Sequence, residues 1–179
     1  MKKFFTIIPI LILALGLLAT TPLAFASDDY LNEQEIERVR EAQAIDKRTE
    51  VFLRIAERRL NALLGNPSAP PKDKKEKKKE SNDDYGPEPT GTPTELLQNY
   101  TSVMTELLDK LDDTYTRKKN DPTLPKAIDK LREATQQHLA RLSQLRSKIN
   151  SRSEETALEK AMEIAKMAND GARSFDTQQ

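Results

Sequence analysis

The chain has 179 residues, with 29 Lys and Arg against 29 Asp and Glu, one His, no Cys and no Trp. That balance excludes a broadly basic nucleic-acid or polyanion binder. The missing thiols exclude disulfide frameworks, thiolate zinc sites, iron–sulfur clusters and covalent c-type haem. Aromatics at 5% and charged residues at 32% leave little for a β-sandwich core or an aromatic-lined pocket.

The first segment reads as an export leader. Met1-Lys2-Lys3 is a basic start, Phe4–Leu18 is a nearly unbroken apolar run, and no charge follows until Asp28. Pro22 then precedes Ala24-Phe25-Ala26, an A-x-A triplet whose small side chains suit a signal peptidase. A signal peptide over residues 1–26, cleaved before Ser27, is the expectation. Removing it takes away Lys2 and Lys3 and no acid, leaving 153 residues with 27 bases against 29 acids. That is one domain in size, exported to the periplasm or beyond, with no membrane span. An uncleaved anchor is the rival outcome, because Phe4–Ala26 could nearly cross a bilayer core of about 30 Å. A thiol-free chain suits an oxidising compartment.

Four segments then carry helical periodicity, and none shows sustained strand alternation. Residues 27–64 predict one long amphipathic helix, with Ile36, Val39, Ala42, Ile45, Thr49, Phe52, Ala56, Leu60 and Leu63 on its face and Gly65 as the stop. Its half Val51–Leu64, widened by Leu53, Ile55 and Leu64, should be the most deeply packed. Residues 65–92 lose the pattern. Asn66-Pro67, Pro70-Pro71, Gly86-Pro87 and Pro89 forbid a helix, and the stretch between them is strongly polar, predicting a disordered Lys/Pro-rich linker.

Thr92-Pro93-Thr94-Glu95 opens the second helix as a capping box with Pro at the first position. Leu97, Tyr100, Met104, Leu107, Leu111 and Tyr115 form its stripe. The third helix has the cleanest seam, with Ile128, Leu131, Thr135, His138, Leu142, Leu145 and Ile149 spaced by threes and fours. Ser151-Arg152-Ser153-Glu154 reads as a second capping box, and Leu158, Ala161, Ala165, Ala168, Ala172 and Phe175 mark the fourth helix. Short links predict antiparallel neighbours, hence an up-down-up unit over residues 93–179 that packs with helix one. The fold class is all-α, a four-helix bundle, with an extended coiled-coil dimer as the alternative.

Candidate chemistry is sparse. His138 is the one histidine, and as a cofactor residue it would be an axial haem or metal ligand, with Met104, Met162 or Met167 opposite. Thr135 stands where a carboxylate-bridged metal site needs Glu, so the favoured role is a seam-end histidine bonded to a neighbour. The methionines then serve as gap-fillers. No cofactor, metal or catalytic residue is assigned. Lys74, Lys75, Lys77, Lys78 and Lys79 are the candidates for contact with a polyanion or lipid. Arg54, Arg58 and Arg59 are the candidates for a partner surface, since guanidinium forks match carboxylates and phosphates. They lie in and around Ile45–Leu60, IDKRTEVFLRIAERRL, a string that resembles a segment of uncharacterised exported bacterial helical proteins and implies no activity.

The functional expectation is a non-catalytic structural or protein-interaction module of the periplasm or cell envelope. Its partners would be another protein or a second copy, as a homodimer, and not nucleic acid. The alternative is a ligand-binding bundle for non-covalent haem, a metal or an apolar small molecule.

Overall fold

A computed structural model describes residues 30–65, 85–118 and 120–176 of the chain. The expected leader and cleavage site, and the lysines at 74–79, lie outside the described residues. What is described is an all-α bundle, with no strand among those residues. Its elements are α1 (Glu33–Glu41), α2 (Ile45–Leu64), α3 (Pro93–Arg117), α4 (Leu124–Leu145) and α5 (Arg152–Asp176), with a short 3-10 turn at Arg146–Lys148.

The long first helix of the sequence reading is two helices. Ala42 and Ala44 are extended, with ψ of 90° and 143°, and the chain turns between them. Nothing local demands the break, because Glu41-Ala42-Gln43-Ala44 are not helix breakers. The turn is fastened by short-range side-chain bonds to the backbone: Arg48 Nε donates to the Ala42 carbonyl at 3.0 Å and Gln43 Nε2 to that of Arg40 at 2.9 Å. It lets α1 fold back on α2 rather than project into solvent. At the other end of α2, Gly65 takes φ of 72°, the left-handed conformation that ends helices cheaply only with glycine.

Caps position the remaining helices. Thr92 Oγ1 accepts from the Glu95 N–H at 3.2 Å while Glu95 returns to the Thr92 N–H at 2.8 Å, a complete box. Ser151 accepts from the Glu154 N–H at 3.2 Å, but the Glu154 carboxylate reaches the Asn150 N–H at 2.8 Å, so the second box is displaced by one residue. An unforeseen box starts α1, with Asn32 Oδ1 accepting from the Glu35 N–H at 2.9 Å and Glu35 Oε2 from the Asn32 N–H at 3.1 Å.

The core is the set of stripes brought together. Phe52, Ile55, Ala56 and Leu60 of α2 meet Leu97, Val103, Met104 and Leu107 of α3, all fully buried. Leu131 and Leu142 of α4 and Ala161, Ala165 and Ala168 of α5 complete it. α2 packs on α3 and α4, and α5 packs on the same two. α2 and α4 run in one direction: Lys130 bonds Glu50 at 2.6 Å near their starts, and Arg141 meets Glu57 at 3.5 Å farther along. Tyr115 and Phe175 meet edge to face at 6.0 Å near the ends of α3 and α5, which likewise run together.

One expectation about neighbours changes. α3 and α4, joined by only residues 118–123, touch little along their lengths and face each other across the centre. The link is long enough to cross the bundle, and the α2 and α5 faces are the better complements for each.

Candidate functional site

Two constellations of polar groups stand out, one buried and one open. The buried one is built on α2. Arg58 is fully buried and Arg59 is 4% exposed, so neither forms a partner surface. Their intended partner is internal: Glu35 of α1, itself fully buried. Arg58 Nη1 donates to Glu35 Oε1 at 2.7 Å, Arg59 Nη2 donates to Oε2 at 2.6 Å, and Arg59 Nη1 also donates to Oε1. Arg58 goes on to the carbonyls of Tyr85 and Gly86 at 2.8 Å each and of Pro87 at 2.5 Å. Arg59 Nη2 donates to the Tyr30 carbonyl at 2.6 Å. Burial pulls the Arg58 guanidinium below its ordinary range, and the Glu35 charge opposes that pull.

This network corrects the linker as well. Its last part, from Tyr85 onward, is seated: Tyr85 is 4% exposed, and its carbonyl also accepts from Asn32 Nδ2 at 3.0 Å. Gly86 sits at φ of 72° with Gln34 so close that a Cβ would meet its Oε1 at 2.7 Å. α1, residues 85–87 and α2 are therefore one clamp. Two guanidinium groups donating to one carboxylate and five backbone carbonyls, Ile55 at 3.4 Å included, is the kind of dense pairing that makes a buried charge tolerable, although both Nε–H groups stay buried without a partner.

The open constellation is a groove between α2 and α4. Its volume is about 360 Å³, and Leu53, Tyr85, Ala134 and His138 provide its less polar wall. Glu50, Arg54 and Glu57 line it from α2, and Lys130, Glu133 and Arg141 from α4. Arg54 is thus the one member of the arginine trio that faces an accessible space, and it pairs with Glu57 at 3.1 Å. Arg141 also donates to Asn61 Oδ1. Partial burial pushes the Glu50 carboxyl up, but its hydrogen bond to Lys130 and the charges of Lys130 and Lys47 outweigh this, leaving it below 4.5.

His138 is not at a seam end. It lies within α4 at 3% exposure, and its Nδ1 sits 3.1 Å from the fully buried Tyr100 hydroxyl of α3. The rings meet edge to face at 5.6 Å. Burial, with the Arg141 charge adding to it, lowers the imidazole from 6.5 to about 3. Burial also raises the Tyr100 hydroxyl far above its ordinary range. Met167 is 57% exposed on α5 and is therefore no gap-filler, whereas Met104 is fully buried. No group of three or more His, Asp or Glu among the described residues is placed to hold a metal ion.

The neutral imidazole has a consequence for stability. Between pH 3 and 6.5 the unfolded chain binds a proton at His138 that the folded chain refuses. The contribution is whole above 6.5 and is lost as pH falls toward 3, at up to about 1.4 kcal/mol per pH unit. Urea midpoints are expected to drop more steeply from about pH 7 to about pH 5 in the native chain than in His138→Gln. Parallel pH profiles would show that the ring is not held neutral.

Sequence reasoning passed over Glu35, Tyr85, Glu57, Lys130 and Arg141. Asn32-x-x-Glu35 repeats the spacing of Thr92-x-x-Glu95, so the cap of α1 left a signal. The second role of that carboxylate left none, because residues 23 and 24 positions away are joined to it only by the fold. Among the described residues, no helix is long and apolar enough to cross a membrane. No protein-family model, curated protein or solved structure matches the chain.

Proposed function

We propose that this chain is an exported, non-catalytic helical module of the periplasm or cell envelope that works by contact with a protein partner or a second copy of itself. The observation that supports this reading is the clamp. The groups best suited to grip an external anion, Arg58 and Arg59, are spent on locking α1 and residues 85–87 to α2. Such an arrangement makes a rigid presenting body rather than a reactive centre. The export half of the proposal rests on the basic start, the apolar run and Ala24-Phe25-Ala26. Contact is expected at Ile36 of α1 and Met167 of α5, the exposed large apolar side chains among the described residues.

The test expresses the full chain with a photo-crosslinking phenylalanine at position 36 or 167, and at Lys160 of α5, an exposed polar position, as control. A mature N-terminus at Ser27 in the envelope fraction, with discrete adducts at 36 or 167 and not at 160, is the expected result. A cytoplasmic chain that keeps Met1, or the same adduct pattern at all three positions, would overturn it.

A further inference from the structure

The groove between α2 and α4 shares Tyr85 with the clamp but has its own polar groups, and its chemistry is specific enough to name an occupant. Tyr100 is fully buried, and His138 Nδ1 is the one hydrogen-bond partner its hydroxyl has among the described residues. If Nδ1 carried the proton, the Tyr100 O–H would be buried with nothing to donate to, which costs on the order of 1–3 kcal/mol. The hydroxyl therefore donates to Nδ1. A neutral imidazole then bears its proton on Nε2. With Nδ1 taken inside the bundle, Nε2–H is the donor the ring has left for the groove that His138 lines.

The rim sets the charge of what can enter. Lys130 is paired with Glu50 at 2.6 Å, and Glu57 holds both Arg54 at 3.1 Å and Arg141 at 3.5 Å. Glu133 is exposed to water. An anion entering the groove would have to draw Lys130, Arg54 or Arg141 from its carboxylate, and a cation would find only the water-exposed Glu133 and Gln137, whereas an uncharged molecule leaves the pairs in place. Leu53, Ala134 and Tyr85 line the same groove as His138 and supply its less polar part. A volume of about 360 Å³ lies within the range of small-molecule pockets, about 300–1,000 Å³.

We propose that this groove is a binding site for a small, uncharged organic molecule whose apolar body carries a carbonyl-type oxygen, with His138 Nε2–H donating to that oxygen. The acceptor completes the Tyr100–His138 chain, in which each proton then has one place to go. Lacking a partner for its donor, a pure hydrocarbon of the same shape is the poorer ligand.

Because the chain has a single histidine, imidazole nitrogen resonances of the ¹⁵N-labelled full chain report on this site alone. The probes are acetophenone and α-methylstyrene, which differ by a carbonyl oxygen against a methylene. The expected free state has the proton on Nε2. Acetophenone should then shift Nε2 saturably, and α-methylstyrene should bind at least about tenfold more weakly. Ala134→Arg, which fills the groove from its wall, should abolish the shift while circular dichroism stays helical. A proton on Nδ1, equal affinity for the two probes, or no saturable shift up to the solubility of acetophenone would each overturn the proposal. The wild-type comparison decides the question even if the variant does not fold.

Discussion

Glu35→Ala is expected to lower the unfolding free energy by about 3–5 kcal/mol, the cost of leaving buried charge unpaired. The variant would leave two guanidinium charges, Arg58 and Arg59, without their carboxylate at 0% and 4% exposure, with only backbone carbonyls to accept from them. Against a typical total of about 5–15 kcal/mol, that is a large share. At roughly 2–4 °C per kcal/mol for a domain of this size, Tm should fall by about 6–20 °C. Glu37→Ala supplies the contrast. Glu37 pairs with Arg40 at 2.8 Å on the open face of α1, with side chains 55% and 71% exposed, and removing such a pair should cost about 0–1 kcal/mol. Hydrogen exchange would locate the damage: amides of α1 and residues 85–91 should lose protection first in Glu35→Ala. Equal melting of Glu35→Ala and Glu37→Ala would show that the clamp does not hold.

Phe52→Ala should cost a comparable amount, about 3–5 kcal/mol, through lost burial and the cavity left behind. Phe52 is fully buried in the half of α2 that packs on both α3 and α4, so the bundle cannot close over the gap without shifting two helices. Met167→Ala, at a side chain 57% exposed, should change stability by less than about 0.5 kcal/mol. Chemical denaturation with an unchanged slope would attribute the Phe52 effect to the native core rather than to the unfolded chain. A loss below about 1 kcal/mol would mean that the α2 seam is not the centre of the core.

Both predictions bear on how far the sequence could be read. The α4 stripe was legible almost residue by residue, since Ile128, Leu131, Thr135, His138, Leu142 and Leu145 are all buried in one helix. The α5 alanines and the α3 stripe were equally plain. In these segments local periodicity and tertiary packing ask for the same face. The N-terminal stretch is where they part. Ile36 was expected to face inward and is 37% exposed, while its neighbour Glu35 is fully buried. Hydrophobic spacing ranks isoleucine above glutamate at any buried position, and it has no means of counting a pair of arginines waiting a helix away.

The site residues divide in the same way. Arg54, Arg58 and Arg59 could be picked out as a dense basic run, and helix spacing puts Arg54 and Arg58 on one ridge, but which partner each long side chain reaches is set by the elements packed around it. Arg54 turns to the groove, and Arg58 and Arg59 turn inward to Glu35. His138 could be placed on a buried seam but not given its partner. Tyr100 lies 38 residues away on a helix that meets α4 across the centre of the bundle.

What the amino-acid sequence determined by itself was the all-α class, the stripes of α2 to α5, the Thr92 cap and the stop at Gly65. Each follows from spacing or backbone preference within a few residues. The tertiary structure alone decided the seating of residues 85–87, the pairing of Glu35 with two arginines and the burial of His138 against Tyr100. Those depend on charges and hydrogen-bond partners that become neighbours only after the helices pack, and burial is what then makes their pairing obligatory.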